Sequence, residues 1–205
     1  MPFVTDIRKQ KRNDTRYSIY VGDKYTFSLS DLELSNSGLR VGAELSSDML
    51  NELISSSVES KAYNAAITQL SYRRRSTKEI TDYLQRKDFS AETIKSVVEK
   101  LSEISMINDM DFAKAWVADR QLLRPRSKKV LMLELMKKGI SRDDYAEALN
   151  GVSAESQAKT LDDLIEKKLN STQYKDKNKL IAYLARSGYS YNDIKLALAR
   201  LEEAS

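Results

Sequence analysis

Three times along this chain the same punctuation recurs: an apolar pair that ends one helix, a short stop, and a serine that starts the next. The fullest copy runs from Glu134 to Leu149. There Leu135 closes an apolar stripe, and Lys137 and Lys138 fall in a last turn where the helix dipole favours cations. Gly139 suits the left-handed residue that stops a helix, and Ile140 the apolar residue that folds back over the stop. Ser141 caps the following helix, with Asp144 at the third helical position completing a capping box. Tyr83-Leu84 leads in the same way through Lys87-Asp88-Phe89-Ser90 to Ile94, and Tyr183-Leu184 through Ser187-Gly188-Tyr189-Ser190 to Ile194. Leu84, Leu135 and Leu184 stand 51 and 49 residues apart, so a degenerate helical repeat is present three times. Asp88 replaces the glycine of the other two copies, at a cost of about 1 kcal/mol for a left-handed aspartate.

Each copy extends to a three-helix unit. In the first, a helix through Ala62, Ala66 and Leu70 precedes one capped by Ser76 (Ile80, Leu84) and one capped by Ser90 (Ile94, Val98, Leu101). In the second, Asn108 caps a helix through Phe112, Ala115 and Trp116, and Pro125 breaks the chain before the next helix. In the third, Ser153 caps a helix through Leu161 and Ile165, followed by helices through Leu180-Leu184 and Ile194-Leu201. Repeats that pack mainly on their neighbours predict a mainly α fold: an elongated, gently curved tandem array of three degenerate three-helix repeats behind a small β leader. The expected divisions are 1–57 for the leader and a connecting helix, then repeats at 58–107, 108–152 and 153–205.

The leader has a different grammar. Tyr17, Ile19 and Val21 alternate with Arg16, Ser18 and Tyr20, as in a strand with one buried face. Gly22-Asp23, with glycine first, reads as a type II′ turn into a second strand through Tyr25, Phe27 and Leu29. Ser30 with Glu33 forms a capping box, and Leu39, Val41, Ala43 and Leu45 read as a third short strand. The basic start, Arg8, Lys9, Lys11 and Arg12, reads as a loosely paired end or, less simply, a nucleic-acid arm. The serine run Ser55-Ser56-Ser57 is expected to break or bend the helix that follows, because serine competes for backbone bonds.

Chemistry is mostly excluded. The chain contains no histidine and no cysteine, which removes the commonest general base, thiol nucleophiles and the nitrogen and sulfur metal ligands. Its glycines form neither a Walker loop nor a dinucleotide fingerprint. Asp109/Asp111, Asp143/Asp144 and Asp162/Asp163 lie at or near helix starts, where aspartate caps, and they lack calcium-loop spacing. Trp116 could stack a base, but at helical spacing with Phe112 it reads as core. No enzyme, no cofactor and no metal are expected. The absence of an apolar run long enough for a membrane span, and of a signal-peptide core, predicts a cytoplasmic protein.

What rises above background is basic. The net charge is only +4, so any nucleic-acid contact must come from local clustering. Arg73, Arg74, Arg75 and Lys78 lie where the first helix of repeat one meets the second. Arg120, Arg124, Arg126, Lys128 and Lys129 occupy the same place in repeat two, followed by Lys137 and Lys138, and repeat three offers Lys175, Lys177 and Lys179. Positive charge at one corner of every unit would form a stripe; a solvated charged face is the plain alternative. A helix-turn-helix reading fits less well, because the third helices carry Asp143, Asp144 and Glu147, or Glu92 and Glu99, where a recognition helix would meet phosphates.

Leu70-Ser71-Tyr72-Arg73-Arg74-Arg75-Ser76, followed by Glu79 and Leu84, resembles a signature of the RecX family of recombinase regulators. Ile107-Asn108-Asp109-Met110-Asp111-Phe112-Ala113 with Arg120 resembles the family's next signature, and Glu134-Leu135-Met136-Lys137-Lys138-Gly139-Ile140 its third. The hairpin from Arg16 to Leu29 and the segment Gly38 to Leu45 are similar to the leader of longer members. Two positions depart: Arg126-Ser127 stands where members often have glycine before the second helix, and Asp88 replaces a frequent glycine. The resemblance implies a monomer that lies along the groove of the RecA filament on single-stranded DNA. It also implies suppression of filament extension, ATP turnover, strand exchange and repressor cleavage. The residues alone leave two alternatives, a helical-repeat adaptor for an unrelated protein and a duplex-binding regulator.

Overall fold

The computed structural model describes residues 1–11, 15–171, 174 and 176–203, with only the backbone of 202–203. Arg12 and Lys175, read above as parts of basic clusters, lie outside the described residues. The fold is mainly helical, with a three-stranded antiparallel sheet at its start. The strands are β1 (Val4–Lys9), β2 (Arg16–Val21) and β3 (Lys24–Ser30). They are followed by α1 (Asp31–Ser37), α2 (Ser47–Tyr72), α3 (Thr77–Gln85), α4 (Ala91–Glu103) and α5 (Asp109–Leu123). Then come α6 (Lys128–Lys137), α7 (Arg142–Asn150), α8 (Ala154–Leu169), α9 (Lys177–Arg186) and α10 (Tyr191–Glu203). Two compact units result, one of Met1–Arg73 with Ile80–Ile104, the other of Arg74–Glu79 with Ser105–Ser205.

In the first unit the sheet order is β1-β2-β3. The third strand is Val4–Lys9, which takes in Arg8 and Lys9 of the basic start expected to be a loosely paired end, and not Leu39–Leu45. The later segment instead wraps the sheet's first strand irregularly: Val4 donates to the Ala43 carbonyl, Gly42 to that of Val4 and Leu45 to that of Pro2. Gly42, at φ 85°, takes the chain out of extended geometry there, so alternation alone misled. The hairpin turn also differs. Gly22 and Asp23 both have positive φ, 57° and 63°, which is a type I′ turn and not II′.

The expected break at Ser55–Ser57 is absent; α2 runs through without interruption. Ser57 faces the sheet, where its hydroxyl accepts from the Ser28 N–H (3.2 Å) and donates to the Ser28 carbonyl (2.6 Å). The helix thereby covers an edge strand whose backbone groups would otherwise be open to another chain. Arg16, expected on the outer face, is buried beside the same strand, its guanidinium donating to the Ser28 carbonyl at 2.8 Å and to the hydroxyls of Ser28 and Ser60. The sheet buries Val4, Ile19, Phe27 and Leu29 with Leu45. Beyond the sheet, α2, α3 and α4 bury Ala62, Ala66, Ile80, Leu84, Ile94, Val97 and Leu101.

The second unit holds two further apolar centres. One joins Phe112, Ala113, Val117, Leu131, Leu135, Ile140, Ala148 and Val152 from α5–α7, with Trp116 partly buried at its edge. The other joins Leu161, Ile165, Leu180, Leu184, Tyr189 and Ile194 from α8–α10. The expected punctuation is present: Ile140 donates to the Leu135 carbonyl and Gly139 to that of Met136, closing α6 over a left-handed glycine. Ser76, Ser90, Asn108, Ser141 and Ser153 accept from the backbone N–H three residues on, as caps do. Asp88 is left-handed at φ 61°. Among the described residues no helix is long and apolar enough to cross a membrane.

Candidate functional site

The second helix of each repeat begins at the positive end of its own dipole, and in each that end carries lysine. Lys78 is in the first turn of α3, Lys128 and Lys129 open α6, and Lys177 and Lys179 open α9. A cation in a first turn is disfavoured by about 0.3–1 kcal/mol where exposed. Cations also close α6 (Lys137), α8 (Lys167, Lys168) and α9 (Arg186), where the dipole favours them, and Arg142 opens α7. The recurrence of lysine at the same place in all three repeats makes these helix starts a candidate interface.

The link between α5 and α6 is the densest part. Arg124 ends α5 with φ −149° and Pro125 prevents its continuation. Ser127 then caps α6 by accepting from the Val130 N–H. The link's backbone is held by one side chain of α8: Gln157 donates to the Arg126 carbonyl at 3.1 Å and accepts from the Lys128 N–H at 2.8 Å. Gln121 donates to the same carbonyl at 3.3 Å. Arg124 and Arg126 on this fixed link, and Lys128 and Lys129 at the start of α6, are all exposed.

Arg120 and Lys138, both expected contact residues, have inward partners. Arg120 donates from Nε to Glu134 at 2.8 Å, and the indole N–H of Trp116 donates to the same oxygen at 2.8 Å. The Arg120 guanidinium also lies 4.3 Å from the Trp116 ring centre. Lys138 pairs with Glu79 and stands 4.9 Å from that ring. Burial alone would push the Glu134 carboxyl up, but bonds from Arg120 and Trp116, with the charges of Arg120 and Arg126, hold it below its ordinary value. Arg120 and Lys138 therefore help build the α5–α6 core edge. The acidic partners Glu79 and Glu134 had no signal in the sequence, being 59 and 14 residues away.

Arg73 and Arg74 are exposed, whereas Arg75 is half-buried. Arg74 and Arg75 line a cavity of about 210 Å³ with Asn108, Asp111 and Phe112. Lys78 packs its stem against Gly139, and Lys137 is exposed on the last turn of α6. Two of the acid pairs serve helix starts: Asp109 accepts from the Thr77 N–H at 2.8 Å, and Asp144 accepts from the Ser141 hydroxyl at 2.7 Å. Asp162 and Asp163, expected near a helix start, instead lie in the middle of α8, where Asp162 accepts from Arg200 at 2.8 Å. Among the described residues no group of three acidic side chains is gathered as a metal site would need.

Four family models match consecutive segments of the chain. They are the RecX regulatory protein N-terminal domain over residues 2–46, and the first, second and third three-helix domains of RecX over 62–101, 108–149 and 155–198. Among curated relatives, the regulatory protein RecX of Bacillus subtilis (strain 168) is 36% identical over 98% of this chain and 78% of its own length. That of Clostridium botulinum (strain Alaska E43 / Type E3) is 30% identical over 95% of this chain and 94% of its own. The crystal structure of RecX from Lactobacillus salivarius is similar with a TM-score of 0.64 and 31% identity, covering 71% of this chain and 97% of that one. A further RecX crystal structure shares the fold over 97% of this chain, with a TM-score of 0.75 at 24% identity.

Proposed function

This chain belongs to the RecX family, and from that premise we propose that it is a non-catalytic regulator of the RecA recombinase, acting as a cytoplasmic monomer. It binds the RecA filament on single-stranded DNA along the groove and inhibits filament extension, ATP hydrolysis, strand exchange and repressor cleavage. The observation that carries this reading is the order of the family match, a leader and three three-helix domains, joined to relatives named as regulatory proteins. The lysines at three second-helix starts supply its physical side, since cations recurring at one place in each repeat favour an anionic surface. The proposed contacts are Arg73, Arg74, Arg75, Lys78, Arg124, Arg126, Lys128, Lys129 and Lys137, with Arg120 and Lys138 supporting them through Trp116.

The deciding experiment is recombinase ATP turnover on single-stranded DNA with and without this protein. Turnover is expected to fall as the protein is titrated in. Unchanged turnover, with tight binding to duplex DNA or to some other protein, would favour the duplex regulator or the adaptor instead.

A further inference from the structure

The α5–α6 link carries a feature that phosphate binding does not use. Leu122 is 81% exposed and Leu123 74%, side by side at the end of α5, immediately before Arg124-Pro125-Arg126. Scattered exposed leucines are ordinary; an adjacent pair followed in the chain by four exposed cations is not. Among the described residues Arg124, Arg126, Lys128 and Lys129 have no carboxylate within ion-pair distance, while nearby Arg120 has Glu134. The loop is already ordered by Gln157 and Gln121, so little freedom remains to be lost on docking.

Two macromolecular surfaces could neutralise the cations, and the leucines decide between them. Nucleic acid offers phosphates and aromatic base faces; aliphatic side chains have no π-face to stack on a base. An acidic protein surface with an apolar recess meets both demands at once, burying the leucines while its carboxylates face the arginines. Repeat one differs at the matching place, where the exposed residue ahead of the arginines is aromatic, Tyr72 at 75% exposure. We propose that the Leu122–Lys129 link docks on protein, an acidic rim around an apolar recess on the recombinase subunit, and not on DNA. This rests on the function proposed above and assigns one of its contacts to a partner.

The test uses the full chain with Leu122→Ser and Leu123→Ser together, a change at exposed positions whose folding is checked by circular dichroism. Leu32→Ser, at a 70% exposed leucine of α1, serves as control. Binding is measured to recombinase without DNA and, separately, to a single-stranded oligonucleotide without recombinase. The expected result is a loss on the order of tenfold for recombinase, with oligonucleotide binding and the control unchanged. Undiminished recombinase binding by the double variant overturns the docking assignment and leaves the regulator reading intact. Loss of oligonucleotide binding instead would make the link a nucleic-acid contact. Failure of the unaltered chain to bind recombinase without DNA overturns the docking assignment, and failure to bind the filament on single-stranded DNA as well overturns both.

Discussion

The hydroxyl of Ser127 gives its proton to the backbone carbonyl of Ser187, 2.7 Å away and sixty residues later in the chain. The same hydroxyl accepts from the Val130 N–H and so caps α6. Ser76 repeats the arrangement, donating to the Lys138 carbonyl at 2.7 Å while accepting from the Glu79 N–H at 3.2 Å. One hydroxyl has one proton and two lone pairs, so it can satisfy the start of one helix and the end of another together. In both cases the serine is buried and begins the second helix of one repeat, and the carbonyl ends the second helix of the next.

Replacing either serine by alanine should therefore cost more than a cap alone. A lost N-cap costs about 1 kcal/mol, and a part-buried carbonyl deprived of its donor adds about 1 kcal/mol more. Ser127→Ala is expected to lower the urea midpoint by clearly more than Ser153→Ala, whose cap is exposed. Equal losses would mean that the bond to Ser187 adds nothing to stability.

The glycine after each accepted carbonyl follows from the same contact. A side chain at Gly139 would put Cβ 2.6 Å from the Lys78 Cβ, and one at Gly188 would sit 2.5 Å from the Ser127 hydroxyl. Repeat one has no earlier repeat whose serine could approach, and its matching residue is Asp88, exposed at φ 61°. Asp88→Gly is thus expected to be neutral or stabilising by up to about 1 kcal/mol, and Gly139→Asp to be strongly destabilising. Thermal melts of the two variants check the asymmetry; equal and opposite shifts would show that conformation alone matters.

Helix starts and stops were legible because serine caps, a left-handed glycine and 3.6-residue periodicity are local physics. Ser141 to Asp144 and Gly139 to Met136 could be read without knowing anything distant. What was not legible depended on partners far along the chain. Ser57 reads locally as a helix breaker, yet its hydroxyl bonds Ser28, and Arg8 and Lys9 read as a loosely paired end, yet β2 pairs with them. At the candidate site the clustering of Arg124, Arg126, Lys128 and Lys129 was visible in the sequence. The withdrawal of Arg120 towards Glu134 and of Lys138 towards Glu79 was not, since no spacing rule links them.

Acid should loosen the protein through its paired glutamates. Glu59 is held below its ordinary value by the hydroxyl of Ser96 and then by Lys100, against burial. Glu134 is held low by Arg120 and Trp116 in spite of burial. A depressed carboxylate contributes stability that is complete above the unfolded value, near 4.5, and is lost as pH falls through the lower folded value. A scan of melting temperature from neutral pH to below that point should fall for the unaltered chain. Glu134→Gln should start lower and fall less steeply; parallel curves would remove Glu134 from the acid response.

Lys128 sets stability against function most directly. It stands at the first position of α6 with Lys129 beside it and no acid in that turn, so both its dipole and its neighbours oppose the charge. Its backbone N–H is already satisfied by Gln157, and its side chain is exposed, so folding does not need the ammonium. Lys128→Glu replaces an unfavourable charge with a favourable one and is expected to raise stability by about 0.5–1.5 kcal/mol. If the helix starts form an interface with an acidic or phosphate surface, the same variant should bind the filament several-fold more weakly, with a shallower dependence on salt. A variant both more stable and undiminished in binding would return Lys128 to an ordinary solvated face.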